Sequence, residues 1–143
     1  MKVLVTGGAG FIGSHLVDRL VKDHEVYVVD NLSTGKKENL NPKAEILIGD
    51  INWISGLKFK PDVIFHTAFN ASIPNSFENP ISSTEENVSG MLRVLELAKE
   101  YNSILIFSSS PSVYGEAWCH PTGEGMVCKP MSPYAVQKLA CEE

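Results

Sequence analysis

The strongest constraint on the fold is the opening segment MKVLVTGGAGFIGS, Met1 to Ser14, where a short apolar run passes straight into a glycine-spaced turn. Val3, Leu4 and Val5 read as a strand buried on both faces, as in a parallel sheet. Gly7, Gly10 and Gly13 follow at regular spacing, with an extra glycine at Gly8. After Gly13, Leu16, Val17, Leu20 and Val21 recur at helical spacing. Strand, glycine turn and helix in this order form the context in which such a pattern becomes a dinucleotide-binding hypothesis. Glycine lets the backbone turn sharply and approach a ligand. The helix N-terminus offers unpaired N–H groups and a positive dipole end to a pyrophosphate. The same glycines would serve any helix packed closely on a sheet, so the turn needs support from elsewhere in the chain.

Asp30 supplies it. It closes a second apolar run, Val26 to Val29, and lies 17 residues after Gly13. A carboxylate at the tip of the second strand accepts hydrogen bonds from both ribose hydroxyls of an adenosine and repels a 2′-phosphate. The expected cofactor is therefore NAD rather than NADP, although Lys36 and Lys37 stand close enough to tolerate a phosphate. Asp30-Asn31 is also a good turn pair in its own right, and the two roles are compatible.

Composition narrows the class. A chain of 143 residues, 43% hydrophobic, buries one core rather than two. The net charge of −5 and the lack of a basic stripe argue against a nucleic-acid partner. No apolar run reaches the length of a membrane span, and the residues ahead of Gly7 are too few for a secretory leader. The three cysteines, an odd number without paired spacing, fit a reducing cytoplasm. Cys119, His120 and Cys128 match no zinc spacing and lack a fourth ligand, so no metal site is expected.

Strands are expected at Lys2 to Thr6, Val26 to Asp30, Ala44 to Ile48, Val63 to His66 and Ser103 to Ser108. Helices are expected at about Ile12 to Val21, about Thr84 to Glu100, and from Pro133 onward. Asn31 to Lys43 reads as a loop with at most a short helical turn, and Pro74 to Pro80 as a loop. Trp118 to Pro130, which carries Pro121, Gly123 and Gly125, reads as irregular surface. Strands alternating with helices predict an α/β fold, a Rossmann-type doubly wound parallel sheet with helices on both faces.

The far end holds a second candidate constellation. Tyr134 and Lys138 are four apart, so a helix from Pro133 puts them one turn from each other on one face. An ammonium near a phenol favours the phenolate, which suits general acid–base work near neutral pH. Ser110, leaving a strand end, could hold the same reacting hydroxyl. Such a Tyr–Lys pair arises often by chance. It gains weight here because a glycine turn, an acidic strand tip and a serine cluster precede it in order.

Taken together, these segments give a resemblance. The chain resembles the extended short-chain dehydrogenase/reductases, in the NAD-dependent epimerase/dehydratase group that acts on nucleotide sugars. The matching pieces are TGGAGFIGS, DNLSTG at Asp30 to Gly35, GDI at Gly49 to Ile51, HTAFNAS at His66 to Ser72, NVSG at Asn87 to Gly90, SSSPSVYG at Ser108 to Gly115, and PYAVQK. By this resemblance Gly7, Gly10 and Gly13 form the pyrophosphate turn, and Phe11 and Ile12 supply amides to it. Asp30 and Asn31 hold the adenosine ribose, with Ser33 and Gly35 in the same segment, and Asp50 and Ile51 flank the adenine. Thr67 and Ala68 line the nicotinamide half, and Asn87 sits near the cofactor. Lys138 binds the nicotinamide ribose beside Tyr134, and Ser110 and Tyr134 handle the sugar hydroxyl. The implied activity is nucleotide-sugar epimerisation through a transient 4-keto sugar, of the UDP-glucose/UDP-galactose kind. A UDP-sugar is the expected partner and a homodimer the expected assembly of the full-length protein. The alternatives are another nucleotide-sugar oxidoreductase of the group, or a non-catalytic NAD-binding module.

The chain departs from the family pattern in three places. Thr67 and Phe69 stand where the family usually has Leu and Ala after the histidine, and Phe69 is bulky enough to crowd the site. His66 itself reads as a satisfied strand-end histidine. Pro111 and Ser112 follow Ser110 where the 4,6-dehydratases carry an Asp-Glu pair, which favours epimerase or reductase chemistry over elimination of water. Finally, the chain stops at Cys141-Glu142-Glu143 inside a helix, without a glycine cap. It therefore reads as the N-terminal part of a longer enzyme, a single cofactor domain over 1–143 that lacks the last strand and the substrate lobe and is expected to be inactive alone.

Overall fold

The structure, a computed structural model, describes residues 1–54, 56–116 and 121–143. In chain order its elements are β1 (Lys2–Thr6), α1 (Phe11–Leu20), β2 (Glu25–Asp30), β3 (Glu45–Ile48), β4 (Val63–His66), α2 (Ile73–Glu78), α3 (Pro80–Thr84), a π-helical turn (Glu85–Ser89), α4 (Gly90–Tyr101), β5 (Ile104–Phe107) and α5 (Pro133–Ala140). Short 3-10 turns occur at Lys37–Asn39, Ile51–Trp53 and Pro111–Tyr114. The chain divides into two compact units, one of Met1–Phe69 with Ser89–Ser108 and one of Asn70–Val88 with Ser109–Glu143.

The first unit is a five-stranded sheet in the order β3-β2-β1-β4-β5. Every pairing is parallel. The strand order reverses between β1 and β4, which is the Rossmann arrangement, and ligands of such sheets bind beyond the carboxyl ends at that switch point. Register is set by apolar runs that leave no polar face. Val3 lies opposite Val26 on one side and Val63 on the other. Side chains then alternate between the two faces of the sheet. Leu4, Tyr27, Val29 and Ile64 pack with Val94 and Leu97 of α4. Val3, Val5, Val26 and Val28 pack with Val17 of α1. Leu4 and Ile64 are fully buried, so truncating either to Ala costs about 2–5 kcal/mol. The edge strands are different. Leu47 and Ile48 of β3 and Ile104 and Ile106 of β5 are exposed.

The second unit gathers α2, α3 and α5 with the 3-10 turn Pro111–Tyr114. Here the structure corrects the sequence reading. Pro74 to Pro80 is helical rather than loop, because each proline sits in the first turn of a helix, where its missing N–H costs nothing. Ser72 caps α2, its Oγ accepting from the Asn75 amide at 3.2 Å. The helix expected from Thr84 to Glu100 is also divided. Thr84 ends α3, the π turn follows, and α4 starts at Gly90. Ser132 caps α5, its Oγ accepting from the Ala135 amide at 3.1 Å, with Pro133 in the first turn. The described part of the expected irregular stretch, from Pro121 to Pro130, holds neither helix nor strand. Trp118, Cys119 and His120 lie outside the described residues.

Candidate functional site

In the first unit the candidate residues collect at the carboxyl ends of β1, β2 and β4. Gly7 has φ +75°, and a Cβ there would lie 2.6 Å from the Ala68 amide nitrogen. A Cβ on Gly13 would lie 2.1 Å from the Gly7 carbonyl oxygen. The turn therefore needs glycine at one position for backbone conformation and at the other for the close approach of α1 to the turn. Gly10 precedes α1 without a side-chain cap, and no acidic residue stands in the first turn. The first-turn amides of α1, Phe11 and Ile12 among them, thus have no side-chain acceptor and stand at the positive end of the helix. The Phe11 and Ile12 side chains are exposed. This arrangement suits an anionic diphosphate.

Asp30 is buried at the tip of β2. Its Oδ2 accepts from the Ala9 amide at 2.9 Å and its Oδ1 from the Leu32 amide at 2.8 Å. Leu32 takes φ +58°, so the chain turns abruptly just beyond the carboxylate. Each carboxylate oxygen keeps a second lone pair, the capacity a ribose diol requires. Asn31 donates from Nδ2 to Asp50 Oδ2 at 3.1 Å and accepts the Ser33 amide at 3.0 Å on Oδ1, joining the ends of β2 and β3. Asp50 Oδ1 caps the 3-10 turn that contains Ile51 by accepting from the Asn52 amide at 2.8 Å. Gly35 closes onto the glycine turn, where an added Cβ would meet the Ala9 Cβ at 2.7 Å. The structure thus brings Gly7, Gly10, Gly13, Asp30, Asn31, Ser33, Gly35, Asp50 and Ile51 to one sheet edge.

At the end of β4, the Thr67 amide and Oγ1 both donate to the Thr6 carbonyl, at 3.1 and 2.6 Å. The Ala68 amide donates to Thr6 Oγ1 at 3.3 Å. Thr6 Oγ1 also shares a 2.7 Å hydrogen bond with His66 Nδ1 at the end of β4. Phe69 packs against Phe107 with ring centroids 6.2 Å apart, and Phe107 stacks on His66 at 5.8 Å.

Asn87, Ser110, Tyr134 and Lys138 belong to the second unit. The Ser110 hydroxyl accepts from the Ser112 amide at 3.3 Å and from the Ser112 hydroxyl at 2.9 Å, which fixes it at the start of the 3-10 turn. Tyr134 and Lys138 are both buried, and Lys138 Nζ lies 6.0 Å from the Tyr134 ring centroid. Burial pushes the Lys138 ammonium down to about 8, against the opposing pull of Cys141 and Glu142. The pair therefore places a phenol ring near a cation whose charge switches not far above neutrality. Such a pair can hold and move a proton. Among the described residues no group of three His, Cys, Asp or Glu could hold a metal ion. Among them too, no helix is long and apolar enough to cross a membrane.

The sequence reading missed the polar residues that support this pair. Gln137 and Ser76 are almost fully buried. Ser76 Oγ accepts from the Tyr134 amide at 3.2 Å. The signal was present in α5, whose buried face is Tyr134, Gln137 and Lys138 at helical spacing while the apolar Val136 is exposed.

Comparison with known proteins places these features in a wider group. The model of the NAD dependent epimerase/dehydratase family matches residues 3–143. The UDP-glucose 4-epimerase of Mycolicibacterium smegmatis is 42% identical over 155 residues, which cover 99% of this chain and 49% of that protein. UDP-glucuronic acid decarboxylase 1 of Danio rerio is 42% identical over 129 residues, 86% of this chain and 30% of that protein. Two solved structures overlay it closely. The UDP-glucose 4-epimerase of Thermotoga maritima, solved with UDP-glucose, has a TM-score of 0.92 and 38% identity over 99% of this chain and 49% of that one. The UDP-glucose 4-epimerase of Thermus thermophilus, solved in complex with NAD, has a TM-score of 0.90 and 38% identity over 99% of this chain and 49% of that one. The chain thus spans about half the length of the epimerases it matches.

Proposed function

The chain belongs to the NAD dependent epimerase/dehydratase family, and from that premise we propose that the full-length protein is an NAD-dependent nucleotide-sugar 4-epimerase that interconverts UDP-glucose and UDP-galactose. The observation that carries this reading is the buried Tyr134–Lys138 pair on α5, with Nζ 6.0 Å from the ring centroid. A phenol beside a buried ammonium takes a proton from a sugar hydroxyl and gives it back, as reversible oxidation at C4 requires. Bound NAD supplies a reversible two-electron acceptor for that carbon.

Each residue then has a defined task. The first-turn amides of α1 bind the pyrophosphate, and Asp30 accepts from the adenosine ribose diol. Asn31, Ser33, Gly35, Asp50 and Ile51 form the adenosine side, and Thr67 and Ala68 the nicotinamide side. Tyr134 accepts the C4 hydroxyl proton as the 4-keto sugar forms and returns it after the ketone has turned over. The Ser110 hydroxyl hydrogen-bonds the same sugar oxygen. Lys138 stabilises the phenolate and holds the nicotinamide ribose, and Asn87 supports α5. Pro111 and Ser112 after Ser110 offer no carboxylate for elimination of water, which favours epimerisation over dehydration.

A second reading has a specific observation in its favour. The Danio rerio decarboxylase is as similar, at 42% identity, as the Mycolicibacterium smegmatis epimerase. One experiment separates the two. Incubated with UDP-galactose, the full-length protein yields UDP-glucose with no net NADH, whereas UDP-glucuronic acid releases no carbon dioxide. Carbon dioxide release without epimerised product would overturn the proposal.

A further inference from the structure

We propose that Gln137 is the positioning residue of α5: its amide seats the helix against α3 and the π turn and so fixes Tyr134 and Lys138. The inference rests on the reading that those two residues carry the proton chemistry. All the contacts involved lie within the second unit.

Gln137 lies between the pair on the buried face of α5 and is 2% exposed. Its Oε1 accepts from Asn87 Nδ2 at 2.7 Å. Its Nε2 donates to Ser83 Oγ at 2.9 Å and to Thr84 Oγ1 at 3.0 Å. Asn87, 2% exposed, uses its remaining capacity on one backbone segment. It donates to the Asn70 carbonyl at 3.2 Å and accepts from the Asn70 amide at 2.7 Å. Both amide side chains are thereby satisfied without water.

The network has one direction. Ser83 Oγ and Thr84 Oγ1 both donate to the Pro80 carbonyl, at 3.3 and 2.7 Å, so toward Gln137 they act as acceptors. Gln137 must then turn its amide nitrogen to α3 and its oxygen to Asn87. Asn87 must answer with its nitrogen, which leaves Oδ1 for the Asn70 amide. Reversing any member leaves a buried donor facing a donor or an acceptor facing an acceptor. Such a mismatch costs far more than a lost exposed hydrogen bond. A polar network whose Gln137, Asn87 and Ser83 members are buried and bonded therefore favours one seating of α5, where an apolar contact would permit several. The π turn serves the same end. Asn87 lies within it, and widened turns of this kind are frequent at functional sites. Another buried polar partner of α5, Ser76, bonds the Tyr134 amide and adds to the hold at the helix start.

The test uses the full-length protein and two readouts. One is the titration of Lys138, followed by pH-dependent acetylation with acetic anhydride and mass spectrometry of its peptide. The other is kcat and KM for UDP-galactose. Two variants remove the hold from opposite sides, Gln137→Leu on α5 and the double Ser83→Ala, Thr84→Val on α3. In both, the expected result is an upward move of the Lys138 titration on the order of one pH unit as the loosened helix admits water. The expected kcat loss is about tenfold or more with KM little changed, the mark of a misplaced reacting group. If Gln137→Leu fails to fold, the α3 double variant decides, because it leaves the sequence of α5 intact. A folded variant of either kind that keeps the wild-type Lys138 titration and kcat would overturn the proposal. A shifted titration with unchanged kcat would uphold the seating role and overturn the proton-chemistry reading instead.

Discussion

Asp30 and Ala9 are joined at the carboxyl edge of the sheet, with the buried carboxylate accepting the Ala9 amide at 2.9 Å through Oδ2. The same carboxylate holds the Leu32 amide through Oδ1 at 2.8 Å. One side chain thus ties the glycine turn to the end of β2, in the place where an adenosine ribose is proposed to bind. Removing it leaves two amides without their acceptor.

Asp30→Ala is therefore expected to destabilise the chain by about 1–3 kcal/mol, measured by denaturant unfolding. It is also expected to erode cofactor choice. Titrated with both dinucleotides, the unsubstituted protein binds NAD more tightly than NADP, because the carboxylate repels a 2′-phosphate. The variant narrows that gap. Tighter binding of NADP by the unsubstituted protein would contradict the role given to Asp30.

Gly13→Ala tests the glycine turn. Its Cβ would meet the Gly7 carbonyl at 2.1 Å, a backbone atom that cannot rotate away. The start of α1 must shift, at a cost of about 1–3 kcal/mol, and NAD affinity falls with it. Gly49→Ala is the control, since nothing lies within 4 Å of the Cβ it would add. Equal NAD affinity in the two variants, measured by calorimetric titration, would remove Gly13 from the site.

Tyr134→Phe keeps the ring on the buried face of α5 and removes the hydroxyl. In the full-length protein NAD binding is expected to stay near its original strength. Turnover is expected to fall by roughly 10²–10⁴-fold, the usual loss on deleting a general acid–base group. A variant that turns over at a near-normal rate would take Tyr134 out of the mechanism.

Lys138 gives a pH dependence of known sign. Its ammonium titrates at about 8 when folded, against an ordinary value of 10.5. Below about 8 both folded and unfolded chains hold the proton, and the burial penalty is present in full. Between about 8 and 10.5 the unfolded chain holds the proton and the folded chain does not, so stability from this residue rises with pH. Lys138→Met carries no group that titrates there. The stability of the unsubstituted chain minus that of the variant should increase from pH 8 to pH 10.5. A flat difference across that window would show that Lys138 is not held as described.

The legible parts of the fold and site were those written in local chemistry. The glycine turn, Asp30 and the Tyr134–Lys138 spacing each depend on residues close in sequence, and each stands where it was expected. The prolines at Pro74 and Pro80 were misread because proline punctuates loops and first helical turns alike, and the Ser72 cap before Pro74 was the clue. The support of α5 was out of reach for another reason. Gln137 is 50 residues from Asn87 and 54 from Ser83, and no periodicity records a partnership at that distance. What the structure reveals in α5 is an inverted face, with glutamine buried and Val136 exposed.

The edge of the sheet supplies the last prediction. β5 pairs with β4 on one side, and among the described residues no strand joins its other side. Ile104 is 65% exposed and Ile106 is 44% exposed, so one face of this outer strand is apolar and open to solvent. Leu105 points the other way and packs on the cluster formed by Val94 and Leu97. A parallel strand of this composition normally has both faces covered. An exposed apolar face on an outer strand is a template for a second chain. The 143-residue chain is therefore expected to self-associate in sedimentation velocity at micromolar concentration. Ile106→Lys places a charge on that edge and is expected to shift the chain toward monomer without lowering its stability greatly, since the side chain is already partly in water. A chain that sediments as a monomer before substitution would show that this edge is protected in solution.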